Sequence, residues 1–273
     1  MKIGILLPVA ETDSGTILRY AAIRDAALQA ERDQFDSVWI VDHLLFEWDG
    51  QRRGIWEGWT LLAALAEATT RIELGTLVMC TAFRNPVLLA KMADAVEEVS
   101  GGRLILGLGA GWHEPEFRAF GYPFDHLASR FEDALRIIVP LVRGDAVDYQ
   151  GMYEQAVDCV SLPRGPRPEG PPILIGASRP RMLRLTAELG DAWNTCWLAE
   201  ASELPVRRAE LHAACSVLAA IQPRTASPWA RSSQPRRRLR IARSPIAPGG
   251  TSSPTQRPWP MNGEHSRGKE SPI

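Results

Sequence analysis

Short apolar runs alternate with longer amphipathic stretches along most of this 273-residue chain. The runs contain few polar residues, as is typical of strands that are covered on both faces. They predict six strands, at Lys2–Leu7, Ser37–Val41, Ile72–Met79, Leu104–Leu108, Pro172–Gly176 and Ala192–Thr195. Apolar residues at helical spacing predict helices between them, at Thr16–Asp33, Glu57–Thr69, Pro86–Val99, Ser129–Val142, Arg181–Leu189 and Ser202–Cys215.

This regular alternation of strand and helix predicts an α/β fold with a parallel sheet. Each connection is long enough for a right-handed crossover, so a doubly wound sheet and a β/α barrel both fit the pattern. One segment, Asp145–Ser161, departs from the rhythm and predicts a β-hairpin, which we expect to lie over the functional site.

Polar side chains follow the strands at one edge of the predicted sheet. They comprise Asp42-His43, Cys80–Asn85, Trp112–Glu116, Ser178-Arg179 and Asn194–Trp197. The carboxyl ends of parallel strands meet at one edge, which is where α/β proteins build their sites. The fourth strand leads into Gly109-Ala110-Gly111, where we expect the backbone to pass close to a ligand because two side chains are absent.

The composition is that of a water-soluble globular protein, with 45% hydrophobic and 23% charged residues. No apolar run reaches the ~18 residues that a membrane helix needs. The first residues, MKIGILLPVAETD, lack the long apolar core of a signal peptide. The four cysteines are far apart in sequence. We therefore expect a cytoplasmic protein with free thiols and no membrane partner.

His43 is the strongest single candidate for chemistry, since an imidazole can exchange a proton near neutral pH. Asp42 could fix its tautomer, and the alternative is a structural histidine bonded within its loop. A metal site is a weaker alternative because no HxH or HExxH spacing is present, and we predict no metal ligands.

Two further features could bind a cofactor. Gly176–Arg179 leads from a strand into a helix and offers N–H groups, a hydroxyl and a guanidinium to a phosphate. Four aromatic residues near the strand ends could enclose a flat ring system or simply pack, namely Phe83, Trp112, Trp193 and Trp197.

Together these stretches resemble the luciferase-like monooxygenase family, especially its branch that uses the deazaflavin F420. The resemblance rests on VWIVDHLL at 38–45, on PPILIGASRPRMLRLTAELGDAWNT at 171–195 and most specifically on 69–124, which contains GLGAGWHEPEFRAFG. It implies a TIM-type (β/α)8 barrel over residues 1–215, with coenzyme F420, or alternatively FMN, at the carboxyl ends of the strands.

The resemblance also implies roles for individual residues. His43 corresponds to the active-site histidine. The implied cofactor-binding residues are Asp42, Thr76, Val78, Met79, Cys80, Gly109, Ala110, Gly111, Trp112, Gly176, Ala177 and Ser178. Some relatives have a non-proline cis peptide at the end of the third strand, and we look for it at Val78-Met79. Several dehydrogenases of the family carry Glu where this chain has Trp112, so their substrates and mechanism are not carried over.

The expected activity is hydride transfer between reduced deazaflavin and a small organic substrate, or reaction of reduced FMN with oxygen. Family members often pair, so a homodimer is consistent with the resemblance. The alternatives are a catalytically inactive remnant of a barrel and, less favoured, a metal-dependent barrel hydrolase.

The last 58 residues, 216–273, differ from the rest of the chain. Nine Pro, nine Ser and nine Arg make up 27 of them, and their net charge is +8 against −9 for residues 1–215. We predict a disordered tail without strands, which would leave the first and sixth strands as open edges of an incomplete barrel. An out-of-frame end is the preferred explanation, and a basic tail for nucleic acid is the less favoured one.

Overall fold

Eight parallel strands form the centre of the fold. The computed structural model describes residues 2–12, 14–48, 50–196, 198–221 and 240–243. The sheet strands are β1 (Gly4–Leu6), β2 (Ser37–Ile40), β5 (Glu73–Thr76), β6 (Met79–Cys80), β7 (Leu104–Gly109), β10 (Ile173–Gly176), β11 (Ala192–Thr195) and β12 (Arg240–Arg243). Their order is β1-β2-β5-β7-β10-β11-β12, with β6 paired to β7. All six predicted strands are confirmed, the third one being divided into β5 and β6.

Helices connect the strands in the six predicted places, and one further short helix, at Glu114–Phe120, was not predicted. They are α1 (Tyr20–Arg32), α2 (Gly58–Ala68), α3 (Pro86–Val99), α4 (Glu114–Phe120), α5 (Leu127–Arg143), α6 (Pro180–Leu189) and α7 (Leu204–Ile221), with short 3-10 turns at Thr81–Phe83 and Ala201–Glu203. The start of α3 shows how local sequence fixes a boundary. Asn85 accepts a hydrogen bond from the backbone N–H of Leu88, and Pro86 occupies the first helical position.

Side chains on the outer face of the sheet pack under the helices. Successive side chains of a strand point to opposite faces of the sheet. In β2 and β7 the even-numbered side chains therefore pack in one hydrophobic cluster and the odd-numbered ones in another. Val38, Leu106 and Leu108 belong to the large cluster beneath the helices, whereas Trp39 and Ile105 belong to a smaller cluster on the inner face.

The inner cluster shows that the sheet is curled. Trp39 of β2 packs in one cluster with Leu174 of β10 and Ala192 of β11. In a flat sheet β2 and β10 would be about 14 Å apart, because they are three strand spacings of ~4.8 Å from each other. The described strands therefore form an incomplete TIM-type barrel, with helices outside and an apolar interior.

The strand β12 corrects one expectation about the tail. Residues 240–243 pair in parallel with β11, so β11 is not an edge, and the described sheet ends at β1 and β12. Parallel pairing uses backbone groups, so it needs no apolar periodicity in the added strand. The remainder of the predicted tail, residues 222–239 and 244–273, lies outside the described residues.

Two antiparallel hairpins extend from the barrel. The predicted hairpin forms as β8 (Val147–Gln150) and β9 (Gln155–Cys159). Its expected position over the site is wrong. The Tyr149 hydroxyl donates to Asp133 of α5, and Ser161 bonds Asp94 of α3, which places the hairpin against the outer helices. A second hairpin, β3 (Phe46–Trp48) with β4 (Gln51–Arg53), follows β2 and was not predicted.

Candidate active site

A histidine–glutamate pair lies at the carboxyl end of the barrel. The Nδ1 atom of His43 is 2.9 Å from Oε1 of Glu116, and the other carboxylate oxygen, Oε2, accepts the backbone N–H of Leu44 at 2.8 Å. The Glu116 side chain is 2% exposed and that of His43 is 13% exposed. An ionised carboxylate only accepts hydrogen bonds, so a neutral His43 ring paired with it carries its proton on Nδ1 and keeps the lone pair on Nε2.

Two neighbouring segments bring this pair together. His43 and Leu44 follow β2, whereas Glu116 lies in the first turn of α4, just after β7. The chain turns into α4 at Gly111, whose φ of +83° is the left-handed conformation that favours glycine. The predicted convergence of polar groups at one edge of the sheet thus holds for His43 and Glu116.

His113 fixes the second hairpin to the same edge. Its Nε2 accepts the backbone N–H of Glu47 at 3.0 Å, so Nε2 is unprotonated there. The side chain is 4% exposed, and burial lowers the pKa of His113 below its ordinary value of 6.5. His113 is therefore a neutral, structural acceptor and differs in role from His43, whose ring lies 6.4 Å away.

Aromatic rings surround the imidazole of His43. Its ring centroid lies 4.4 Å from that of Phe46 and 5.6 Å from that of Trp112, which meets it edge to face. Trp112 is 46% exposed although it is large and apolar. Trp112 thus lies beside His43, as predicted, and its role in cofactor binding stays a prediction.

Asp42 does not orient His43, which the sequence had offered as one possibility. Its carboxylate accepts hydrogen bonds from Nη1 and Nη2 of Arg84, at 2.7 and 2.9 Å, and from the backbone N–H of Cys80 at 2.9 Å. Arg84 also pairs with Glu57, which caps α2. Adjacent residues in an extended segment point to opposite sides, so Asp42 is enclosed in the protein while His43 reaches the mouth.

The missing side chains of the glycines in and before the motif leave room for protein atoms. A Cβ on Gly107 would lie 1.9 Å from the carbonyl oxygen of Thr76, and one on Gly109 would lie 2.5 Å from Cγ2 of Val78. A Cβ on Gly111 would meet Phe117 and Cys80. For Gly107 and Gly109 the approaching atoms belong to the end of the third strand, and contact of Gly109–Gly111 with a cofactor stays a prediction.

That strand end supplies four of the twelve predicted cofactor-binding residues, and their side chains differ in exposure. The cis peptide joins Leu77 and Val78, one bond before the predicted Val78-Met79. Val78 is partly exposed on the inner face, whereas Met79 is buried in the outer core. The Thr76 hydroxyl is buried and bonds both backbone groups of Gly107 at 2.8 Å.

Cys80 and the remaining aromatic residues serve packing. Burial raises the pKa of the Cys80 thiol, which keeps it protonated. Phe83 packs on Phe117, and Trp193 is 1% exposed in the outer core, so the idea that these two enclose a ring is wrong. Trp197 lies outside the described residues.

The predicted phosphate segment lies at the start of α6. Gly176 ends β10, Ala177 is buried and accepts the Trp193 indole N–H, and Ser178 is exposed one residue before the cap Arg179. Ala110, in the corresponding loop after β7, is partly buried against the outer core. Binding of a cofactor by this segment stays a prediction.

Asn194, at the end of β11, has an unusual environment. It is 4% exposed, and its Nδ2 has no hydrogen-bond partner in the described part of the chain. Sequence reasoning placed it at the correct edge of the sheet but gave it no role, and it also missed Glu116 as the partner of His43. The position of Glu116, shortly after the glycine motif at the carboxyl end of β7, could have indicated that it belongs to the site.

Other classes of site find little support among the described residues. No group of three or more His, Cys, Asp or Glu side chains in the described ranges could hold a metal ion. Among the helices of the described residues, none combines the length and the apolar character required to cross a bilayer.

A family model described as luciferase-like monooxygenase matches residues 1–216. The chain belongs to the luciferase-like monooxygenase family. The resemblance inferred from the motifs at 38–45, 69–124 and 171–195 is thereby confirmed.

Individual relatives within the luciferase-like family differ in what they catalyse. The chain is 34% identical over 174 residues to a 5,10-methylenetetrahydromethanopterin reductase of Archaeoglobus fulgidus, covering 64% of this chain and 48% of that protein. It is 33% identical over 174 residues to an F420-dependent glucose-6-phosphate dehydrogenase of Amycolatopsis mediterranei, covering 61% and 50%. It is 30% identical over 184 residues to a pyrimidine monooxygenase of Cronobacter turicensis, covering 62% and 48%. The chain spans about half the length of the curated relatives it matches.

Solved structures support the same luciferase-like fold. An F420-dependent secondary alcohol dehydrogenase, in complex with an F420-acetone adduct, matches with a TM-score of 0.69 and 21% identity over 81% of this chain and 66% of that one. A type II Baeyer-Villiger monooxygenase from Pseudomonas putida, in complex with FMN, matches with a TM-score of 0.64 and 19% identity over 80% and 62%. At this identity the likeness concerns the barrel alone.

Proposed function

We propose that this chain holds a deazaflavin or flavin cofactor at the mouth of the barrel and acts as an oxidoreductase on a small organic substrate. The observation that carries the proposal is the His43–Glu116 pair, which leaves Nε2 of His43 available beside the exposed ring of Trp112. The F420-dependent and monooxygenase relatives support the reaction class.

The residues at the mouth fit a flat, largely apolar ring. Leu77 and Val78 are partly exposed on the inner face of the barrel, and Trp112 adds an exposed aromatic surface. Aromatic and aliphatic surfaces with a few polar groups are typical of cofactor pockets. Val78 and Trp112 would contact the ring, and Ser178 at the start of α6 would reach its phosphate side.

In the proposed mechanism, His43 moves a proton and its neighbours support it. A bound deazaflavin or reduced flavin supplies the two-electron chemistry. His43 accepts a proton at Nε2 from a substrate group, or returns one, while Nδ1–H stays bonded to Glu116. The Glu116 carboxylate stabilises the imidazolium that forms, and the aromatic rings of Phe46 and Trp112 limit access of water.

Equilibrium binding tests the proposal. The purified 273-residue chain is titrated with F420 and with FMN, oxidised and reduced, and cofactor fluorescence is followed in parallel with size-exclusion elution. We expect saturable binding by a compact species, and the cofactor that saturates identifies which of the two is used. Trp112→Ala should weaken this binding, whereas Phe120→Ala, an exposed ring at the other end of α4, should not.

The same titration can also contradict the proposed function. Monodisperse protein that binds neither cofactor would contradict the proposal, and aggregated protein that binds neither would favour an inactive remnant of a barrel.

A further inference from the structure

Asn194 presents an unsatisfied donor inside the barrel. Its side chain is almost wholly buried, at 4% exposure, and Nδ2 has no hydrogen-bond partner among the described residues. Buried polar groups in folded proteins are nearly always bonded, so such an exception requires an explanation. A ligand that brings its own acceptor is one explanation, because it would satisfy the amide only when bound.

The side chain points into the barrel interior. On β11, Ala192 packs in the inner cluster with Trp39 and Leu174, whereas Trp193 packs in the outer core and donates its indole N–H to Ala177. Successive side chains of a strand alternate between faces, so Asn194 is on the same face as Ala192. The amide is therefore directed toward the interior at the carboxyl end of the sheet.

The neighbouring strand places no side chain beside it. Asn194 is in register with Gly176 of β10, which has no side chain. A Cβ at Gly176 would lie 3.1 Å from Cγ2 of Val78, so the partly exposed Val78 side chain borders this position. The amide thus borders the same apolar surface that is proposed to contact the cofactor ring.

Asn194 and His43 lie on opposite walls of the mouth. The sheet order places β11 four strands from β2, and the curled sheet brings the two strands face to face, since Trp39 and Ala192 share the inner cluster. Both residues are at the carboxyl ends of their strands. A planar ring lying across Val78 would have one end near His43 and the other near Asn194.

The geometry points to Asn194 as a binding residue whose Nδ2 donates to a carbonyl oxygen of a heterocycle bound in the barrel. This inference rests on the proposed function, since the pyrimidine part of flavin and deazaflavin rings carries such carbonyl oxygens. The cofactor is the source of the carbonyl, and a carbonyl substrate is the alternative that the test separates.

Cofactor titration without substrate tests this assignment, using the wild type, Asn194→Leu and Asn194→Asp. The leucine removes the donor at similar volume, and the aspartate presents an oxygen to the carbonyl. Both should raise the dissociation constant for the cofactor about tenfold. Thr195→Val, a buried change at the next position of β11, should leave it within about twofold of the wild type.

The ligand-free proteins give a second readout. Removing an unpaired buried donor carries no loss of a hydrogen bond, so Asn194→Leu should unfold at a temperature no lower than the wild type. If the leucine variant does not fold, the aspartate variant, which keeps the shape of the side chain, decides the matter by its dissociation constant.

If a folded Asn194 variant binds the cofactor as tightly as the wild type, the assignment is overturned. If such a variant also turns over more slowly, Asn194 contacts the substrate instead of the cofactor. A wild type that binds neither cofactor would overturn the proposed function and this inference with it.

Discussion

Nδ1 of His43 lies 2.9 Å from Oε1 of Glu116, a residue 73 positions later in the chain. The two side chains form a buried pair whose second carboxylate oxygen is held by the Leu44 N–H at 2.8 Å. These two hydrogen bonds fix the orientation of the Glu116 carboxylate, and the carboxylate in turn determines which nitrogen of a neutral His43 carries the proton.

Replacing Glu116 with Gln should reverse the tautomer of His43. The glutamine must direct its oxygen to the backbone N–H of Leu44, which leaves its NH2 group facing Nδ1 and forces the imidazole proton to Nε2. Long-range ¹H–¹⁵N spectra of the histidine rings distinguish the two tautomers. Turnover should fall by about 10²-fold or more, because Nε2 can no longer accept a proton.

Glu114→Gln is the matched control for this change, since Glu114 lies on the same helix in an exposed pair with Arg118. It should leave the His43 signals unchanged. Retention of the Nδ1–H form in Glu116→Gln would contradict the assigned role of Glu116.

The packing of Gly109 against Val78 predicts a compensated pair of substitutions. Gly109→Ala places a methyl group 2.5 Å from Cγ2 of Val78 and should destabilise the protein by about 2 kcal/mol. Val78→Ala removes that atom, so the double variant should regain at least about 1 kcal/mol relative to the sum of the single changes. Urea denaturation measures all three, and simple additivity would refute the contact.

Much of the fold could be predicted because its signals are local. Apolar runs of strand length, helical spacing and the Asn85-Pro86 start of α3 are each encoded in a few consecutive residues. The pairing of His43 with Glu116 is not encoded locally, since it depends on how the strands β2 and β7 are placed relative to each other in the curled sheet. Proximity in sequence instead suggested Asp42, whose partner Arg84 is 42 positions away.

The glycine motif shows a different limit of sequence reasoning. Its position at the end of β7 indicates a close approach, but the approaching group cannot be read from the motif itself. The curled sheet brings Thr76 and Val78 over Gly107 and Gly109. Similarly, β12 adds to the sheet through backbone pairing and carries no apolar pattern that would predict it.

The Asp42–Arg84 pair should contribute strongly to stability. Asp42 is fully buried and Arg84 is 10% exposed, so removing the guanidinium leaves a buried carboxylate without its counter-charge. Arg84→Leu should cost about 3–5 kcal/mol of unfolding free energy in chemical denaturation. Lys2→Leu removes the exposed pair with Glu73 and should cost at most about 1 kcal/mol; equal losses would show that burial is not the cause.

Stability should fall in mild acid because of His113. Its pKa is lowered by burial in the folded protein, so the unfolded chain binds a proton more readily. The contribution of the neutral ring is complete above about pH 6.5 and is lost as the pH falls below that value. His113→Gln keeps an acceptor for the Glu47 N–H and should show a shallower loss of unfolding free energy between about pH 7 and 5.

His212→Gln serves as its control, since His212 is exposed on α7 and should behave as the wild type. Identical pH slopes for wild type and His113→Gln would assign the acid sensitivity to other groups.

The most direct test of the account is a histidine NMR titration with the cofactor. The chain has five histidines, and ¹⁵N-histidine labelling allows His43 to be followed beside His212. On addition of F420 or FMN, we expect saturable shifts of the His43 ring signals, retention of its Nδ1–H tautomer and unchanged signals of His212. Saturable cofactor binding that leaves His43 unperturbed would place the cofactor elsewhere and contradict the central claim.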